Sequence, residues 1–536
     1  MADVKQVTLT IEGRQVVVPE GTSILEAAKF AGVLIPHYCY HPGLPVAGVC
    51  RMCLVEVEKF PKLAPACATA VGEGQVVHVH SEKALEARKG VLEFLLINHP
   101  LDCPICDQAG ECELQDYTFQ EGRADSRYME PKRFNPVEDF GGDVLYVTNR
   151  CILCTRCVRF MDKVAQDSVL NVSERGDRAV IGIHPEHDLG DHAWSGNVID
   201  LCPVGALISK DFLNKARAWE LDRTASVCPN CTQGCNAILE TREDTVVRMR
   251  PRPNEAVNQY FLCDQGRLNY RWLERRDRAE LPYVRGANRS GGTELRVADW
   301  DVALRDAAAL LNGRRAYVLA SPMLSNEALG LLARVVTRTG GTGVYTVATG
   351  PEAPLAGVPD LSLRADRAAN VVGAELLGFQ RREPGAALAG LQSGDVLVVA
   401  DEELAAAPPT ALPEGVRVLV LGTTVPSWAA AADVVLPIAN MAEEEGTFTN
   451  IRGRVQRFMQ AKAAPGLARP SWYVLGDLLA AMGEGEGYFT ATDAFTALAT
   501  THASFAGLSY DTLGLRGALV ADAERFAAEP AMAGAA

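Results

Sequence analysis

Cys151-Ile152-Leu153-Cys154-Thr155-Arg156-Cys157, answered further along by Cys202-Pro203, is the stretch on which the reading of this chain turns. Three thiols at intervals of three, completed by a distant Cys-Pro, have the spacing that wraps a [4Fe–4S] cluster. Thiolates suit iron because they are soft, strongly donating ligands. The triplet occurs once, so Cys202 is expected to serve the same cluster as Cys151, Cys154 and Cys157.

Working outward, all fifteen cysteines lie between Cys39 and Cys263. Upstream stand Cys39, Cys50, Cys53 and Cys67, and then His99, Cys103, Cys106 and Cys112. Downstream stand Cys228, Cys231, Cys235 and Cys263. Counting His99, every site has four ligands and no cysteine is left over. The first set has a close pair behind the glycine-rich loop Gly43–Val49, which favours [2Fe–2S]. In the second set a neutral imidazole replaces one thiolate, a swap that raises the potential in Rieske centres. The fourth set, three close thiols and a distant one, also suits [4Fe–4S]. Structural zinc is the competing reading for the first and fourth sets, because spacing separates the two metals poorly. Asn230, Thr232 and Gln233 lie between ligands and are placed to donate hydrogen bonds to sulfur. His37 and His41 flank Cys39 and are expected to act on that site only through hydrogen bonds.

The bulk composition bounds the rest. At 536 residues the chain should split into several domains. Its net charge of -15 argues against nucleic acid and anionic membrane as main partners. Met1-Ala2-Asp3-Val4-Lys5 runs straight into a strand-like segment, so no signal peptide is expected. No apolar run reaches the roughly 20 residues of a membrane span. In a reducing compartment, clustered CxxC points to metal rather than disulfides.

Val7–Ile11 alternates with period two, Glu12-Gly13-Arg14 reads as a turn, and Gln15–Val18 as the returning strand. Thr22 or Ser23 should cap a helix beginning at Ile24. Val55–Val57 and Val76–Val79 supply later strands, and Ala84–Asn98 is helical. A hairpin is expected near Arg175-Gly176-Asp177 and a plain turn at Gly141-Gly142-Asp143. Past Leu281 the cysteines stop. Ala316–Ala320, Asp395–Val399 and Val416–Val420 then read as buried parallel strands, with helix over Glu327–Val336. Glu529–Ala536 reads as a loose tail. There is no Walker loop, no strand-borne G-x-G-x-x-G and no H-E-x-x-H. The chain is therefore expected to hold neither nucleotide nor flavin and to have no substrate pocket or catalytic residue of its own.

The order of these sets is similar to that of the large iron–sulfur subunit family of bacterial NADH-quinone oxidoreductase (respiratory complex I). The resemblance is carried over residues 5 to 275 by Cys-Arg-Met-Cys-Leu-Val-Glu-Val, His-Pro-Leu-Asp-Cys-Pro-Ile-Cys-Asp, Arg-Cys-Ile-Leu-Cys-Thr-Arg-Cys-Val-Arg and Cys-Pro-Asn-Cys-Thr-Gln-Gly-Cys. It implies a multidomain α+β and α/β fold. A plant-type ferredoxin (β-grasp) domain would occupy 1–80, although the gap from Cys39 to Cys50 is wider than that family's. A module ligated by one histidine and three cysteines would follow over 81–120. A bacterial-ferredoxin-like domain would fill 121–215, and a four-cysteine module 216–280. It implies one [2Fe–2S] and three [4Fe–4S] clusters, the fourth lying off the main electron path.

Residues 281–536 resemble the molybdopterin oxidoreductase fold through Cys263-Asp264-Gln265-Gly266-Arg267 and Glu445–Asn450, continuing to Gly453–Gln456. No cysteine follows Cys263, so a shortened, cofactor-free domain without molybdopterin is expected. The implied task is electron relay inside an NADH:quinone oxidoreductase that pumps protons elsewhere. The implied partners are a flavin subunit that oxidises NADH and quinone-side connecting subunits. The implied place is the peripheral arm on the cytoplasmic side of the cell membrane, touching membrane only through the complex. The rivals are an electron-input subunit of an NAD-linked hydrogenase or formate dehydrogenase, and a redox-silent zinc scaffold.

Overall fold

The computed structural model describes residues 5–287, 293–401, 412–425 and 431–526. Residues 1–4 of the N-terminal run and the tail expected over Glu529–Ala536 lie outside the described residues. The chain divides into two compact units. Met1–Leu221 with Leu355–Asp360 forms one, and Asp222–Pro354 with Leu361–Ala536 forms the other.

The first unit opens with strand β1 (Gln6–Ile11), whose Val7, Leu9 and Ile11 point inward as the alternation predicts. Strand β2 (Arg14–Pro19) pairs with it antiparallel. Glu12 (φ 47°) and Gly13 (φ 74°) are both left-handed, which matches the twist of a two-residue hairpin. Helix α1 (Ile24–Phe30) is capped by Ser23, whose Oγ accepts from Glu26 N at 3.2 Å. Its Ile24, Leu25, Ala27 and Ala28 are buried on the sheet. Ile24→Ala there would cost about 2–5 kcal/mol. Strands β3 (Leu54–Val57), β4 (Ala64–Pro65) and β5 (Val76–His78) complete the sheet in the order β2-β1-β5-β3-β4. Only the central β1–β5 contact is parallel, giving the expected β-grasp.

Helix α2 (Glu82–Leu96), capped by Ser81, and helix α3 (Glu113–Glu121) follow. Arg88 on α2 is fully buried, donates to Val79 O and pairs with Glu121 at the end of α3 at 2.8 Å. Removing Glu121 would strand a buried charge, a cost of about 3–5 kcal/mol. This clamp holds the loop that carries the second ligand set, which runs from α2 to α3.

Beyond it, Val137–Asp139, Val144–Val147 and Leu207–Ser209 form a three-stranded sheet. Arg156–Arg159 is α-helical and runs into a π-helical turn at Phe160–Ala165. The expected hairpin pairs Leu170–Ser173 with Val180–Ile183. Gly141 (φ 91°) and Gly142 (φ 51°) make the expected turn.

In the second unit, Asp222–Val227, Asn236–Arg242 and Thr245–Pro251 form an antiparallel sheet beside helix Asp264–Leu268. The larger sheet has eight strands, six of them parallel. These run Val434–Pro437, Arg417–Gly422, Val396–Ala400, Ala316–Ala320, Thr342–Tyr345 and Gln380–Arg381. An antiparallel hairpin, Tyr283–Ala287 with Thr293–Val297, closes one edge. The central strands are buried throughout, hence their unbroken apolar sequences. Helices Trp300–Leu311, Asn326–Arg338 and Ser471–Ala481 pack into the main core. Gly446–Thr449 and Arg454–Phe458 form a buried hairpin, the core strand–turn expected there. Among the described residues no helix is long and apolar enough to cross a membrane.

Candidate metal centres

In the first set, Cys39, Cys53 and Cys67 are buried and Cys50 is partly so. Strands β3 and β4 fix Cys53 and Cys67, with Ala66 N donating to Cys53 O at 3.0 Å. The thiols converge: Cys39 meets both Cys50 and Cys67, and Cys67 meets Cys53. Those hydrogen bonds pull Cys39 and Cys53 down and push Cys50 and Cys67 up. Main-chain N–H groups of Val49 and Cys50 point at the Cys39 sulfur. Those of Cys39, at 3.4 Å, and Met52 point at Cys50. His37 Nδ1 is instead engaged with Ile35 O at 2.8 Å, and His41 Nδ1 accepts from Gly43 N at 3.1 Å.

His99, Cys103, Cys106 and Cys112 line one cleft of about 910 Å³. Burial and the nearby Arg150 guanidinium hold His99 down to about 4, so its imidazole is neutral, as a metal ligand must be. Its Nδ1 is buried and meets no protein partner. Amides of Leu114 and Gln115 at the start of α3 point at the Cys112 sulfur. Cys103, by contrast, is exposed. Gly205 faces this set so closely that an added Cβ would collide with Cys106 Sγ.

The third set lines a small enclosed cavity with Tyr146, Arg156 and apolar side chains. Leu153 (φ 52°) and Thr155 (φ 60°) are left-handed between the thiols. Alternating right- and left-handed residues turn successive N–H groups inward and create a nest for an anion. Leu153 N donates to Cys151 Sγ at 3.4 Å, and amides of Arg156, Val158, Val204, Ala206 and Leu207 serve the other sulfurs. The Tyr146 hydroxyl bonds Cys151.

Cys228, Cys231, Cys235 and Cys263 are all buried in the second unit. Gly234 (φ 60°) supplies the left-handed turn, and Cys228 N donates to Cys235 O at 2.7 Å. Gly266 N donates to Cys263 Sγ at 3.3 Å, and Asn230 Nδ2 to Cys228 Sγ at 3.6 Å. Gln233 serves sulfur through its main chain, whose N–H points at Cys231, while its side-chain amide donates to Val257 O at 3.1 Å and its side-chain oxygen accepts from Arg364 at 2.8 Å.

Burial pushes Cys112 and Cys151 up to about 11, and Cys154 and Cys228 up to about 12. Thiolates at such sites call for a compensating cation and for inward N–H groups. The amides supply the second requirement in all four sets. The donor types, the cavities and the orphaned His99 nitrogen therefore fit iron–sulfur clusters.

The first three sets also touch one another. Arg159 donates to the carbonyls of Cys39 and Cys154, the latter at 3.3 Å. Arg150, beside Cys151, bonds Asp102, beside Cys103, at 3.0 Å. Sequence reasoning passed over these arginines, although Arg150, Arg156 and Arg159 all stand in the quoted Cys151–Cys157 motif or at its edges. Tyr146 carried no signal.

Five family models match. They are a 2Fe-2S iron-sulfur cluster binding domain at residues 4–82 and an NADH-ubiquinone oxidoreductase-G iron-sulfur binding region at 88–127. A ferredoxin-like domain of NADH-quinone oxidoreductase subunit 3 matches 141–208. A molybdopterin oxidoreductase Fe4S4 domain matches 221–274, and molybdopterin oxidoreductase matches 418–481. These matches bear out the multidomain reading. The chain is 42% identical over 337 residues to the G subunit of NADH-quinone oxidoreductase from Rickettsia bellii, covering 62% of this chain and 48% of that one. It is 42% identical over 348 residues to the mitochondrial NADH-ubiquinone oxidoreductase 78 kDa subunit of Candida albicans, covering 64% and 47%. The chain thus spans about half the length of these relatives. A chain of an NAD+-reducing [NiFe]-hydrogenase in the H2-reduced state is 30% identical, covering 39% of this chain and 90% of that one, with a TM-score of 0.36. On the sequence likeness and the matched iron–sulfur regions, the chain belongs to the family of the large iron–sulfur (G) subunit of NADH-quinone oxidoreductase.

Proposed function

We propose that this chain is the electron-relay subunit of an NADH-quinone oxidoreductase. In this reading Cys39, Cys50, Cys53 and Cys67 hold a [2Fe–2S] cluster. His99, Cys103, Cys106 and Cys112 hold a [4Fe–4S] cluster, as do Cys151, Cys154, Cys157 and Cys202, and Cys228, Cys231, Cys235 and Cys263. When bound, these clusters supply one-electron redox chemistry between a flavin subunit that oxidises NADH and quinone-side subunits. No catalytic residue is assigned to the chain, and neither molybdopterin, flavin nor nucleotide. It sits in the peripheral arm on the cytoplasmic face and meets membrane only through the complex.

The observation that carries the reading is the adjacency of the first three sets. The third shares hydrogen bonds with the first through Arg159, and with the second through Arg150 and Asp102. A redox-silent scaffold has no need to hold its metal sites side by side, whereas an electron relay depends on it. The chain's own residues bind the clusters, exclude water by burying most of the thiols, and aim amides at sulfur. Exposed Leu101 (87%) and Ile105 (69%) flank Cys103, an apolar rim suited to a neighbouring subunit.

The test is iron and acid-labile sulfide on anaerobically purified protein, with low-temperature EPR after dithionite reduction. The expected content is about 14 irons per chain with several distinct reduced signals. Zinc throughout and no EPR signal would sink the reading. About four fewer irons, with zinc in their place, would make the fourth set structural.

A further inference from the structure

Arg156 stands where the first three ligand sets meet. It lies between Cys154 and Cys157 and is 4% exposed. Its Nη2 donates to Tyr40 O at 2.6 Å and its Nη1 to Leu201 O at 3.2 Å. The same Nη1 pairs with Glu113 Oε1 at 3.5 Å. Tyr40 follows Cys39, Leu201 precedes Cys202 and Glu113 follows Cys112. Each bond therefore ends beside a candidate ligand of a different set. Its Nε–H is buried and has no partner in the protein. Arg156 also lines the enclosed cavity bounded by Cys151, Cys154, Cys157 and Cys202.

A buried donor without a partner is costly unless the cavity's occupant accepts it. A guanidinium is always charged, and its planar fork bonds in several fixed directions at once. One fixed positive charge beside an iron–sulfur site favours the reduced, more negative state, and burial keeps water from screening it. Resting on the electron-relay reading above, we propose that Arg156 is a positioning residue that sets the potential of the third site. Its Nε–H is kept for a sulfur acceptor in that cavity, while its other bonds tie the backbones of the first and third sets, and the Glu113 carboxylate beside the second, to the same charge.

The experiment is an EPR-monitored redox titration of the full chain with its clusters, comparing wild type, R156Q and R156K, with iron content measured alongside. The fourth site's signal is the internal reference. With iron retained, R156Q lowers the reduced-to-oxidised ratio of the third site at fixed potential about tenfold, which is about 59 mV for one electron. R156K keeps the charge but lacks Nε–H, and lowers the ratio by about threefold. A purely structural clamp would change iron content or thermal stability and leave the potential in place. Unshifted titration curves at full iron content overturn the proposal. So does an R156K shift as large as that of R156Q. Should R156Q fail to hold iron, R156K alone decides, and an unshifted R156K curve overturns the proposal. Wild-type protein without iron or signal would instead remove the relay reading itself.

Discussion

The amide nitrogen of Glu113 donates to the carbonyl oxygen of Pro203 at 3.1 Å. Glu113 follows Cys112 and Pro203 follows Cys202, so one hydrogen bond joins the backbones of the second and third sets. The segment continues into Gly205, which has no side chain because Cys106 Sγ occupies that space. Gly205→Ala should therefore push Cys106 out of position. The expected outcome is about four fewer irons per chain and loss of the second site's EPR signal, with the first site's signal retained. Full iron content would show that the loop yields and that the contact is not restrictive.

His99 offers a sharper substitution. Its buried Nδ1 has no protein partner, and the ring faces the cleft of Cys103, Cys106 and Cys112. His99→Ala should lose the second site. His99→Cys should keep iron but lower that site's potential, because an anionic thiolate replaces a neutral imidazole. An EPR redox titration reads the shift. A His99→Ala protein with unchanged iron and unchanged spectrum would remove His99 from the ligand set.

Much of this was legible in the chain because the signals are local. The alternation of Val7, Leu9 and Ile11 announces a half-buried strand, and the unbroken apolar run Ala316–Ala320 announces a fully buried one. The helical stretch Glu327–Val336 announces the helix that runs over Asn326–Arg338. The four ligand sets were legible because cysteine is rare and its spacing is constrained by the metal. What stayed hidden is non-local or without residue preference. Leu153 and Thr155 adopt left-handed backbone although neither residue type favours it. Arg156 meets Tyr40 across 116 residues of sequence. Leu355–Asp360 returns to the first unit, where Gly357 N bonds Val164 O at 2.7 Å. That Gln233 faces sulfur with its main-chain N–H, and not with its side chain, was hidden because sequence could not show that Val257 and Arg364 engage the side chain.

The second unit should lose stability as pH rises. Glu444 is 3% exposed and accepts from Ser471 N at 2.5 Å and Ser471 Oγ at 2.9 Å. Burial, reinforced by repulsion from Glu327, pushes Glu444 up to about 8, and burial pushes Glu327 up to about 7. Both folded values lie above the ordinary 4.5, so the folded chain holds more protons between them. The contribution is full below about pH 4.5 and is lost as pH rises through about 7 and 8. Calorimetric unfolding should therefore occur at lower temperature at pH 8.5 than at pH 5.5, an effect on the order of a few kcal/mol. Glu444→Gln, able to keep bonds with Ser471, should flatten that dependence. An unchanged slope in the variant would assign the pH effect to other groups.

The fourth site can be tested through Asn230. Its Nδ2 donates to Cys228 Sγ at 3.6 Å, while its Oδ1 accepts from Asn269 Nδ2 at 2.6 Å. Asn230→Asp keeps the shape and the bond from Asn269, because the carboxylate oxygen can still accept. It removes the N–H that faces sulfur and adds negative charge beside Cys228. Hydrogen bonds to sulfur and net charge both set the potential of an iron–sulfur cluster. Both changes disfavour the reduced state, so the two effects add. The fourth site's reduced-to-oxidised ratio at fixed potential should fall about tenfold, about 59 mV for one electron, with iron content unchanged and the other three signals in place. A zinc site would respond differently: metal analysis would find zinc in both proteins, and no signal would titrate in either. An iron-loaded variant with an unshifted fourth-site curve would mean that the Asn230 contact leaves the potential untouched, and that the backbone amides, led by Gly266 N at 3.3 Å from Cys263 Sγ, set it instead.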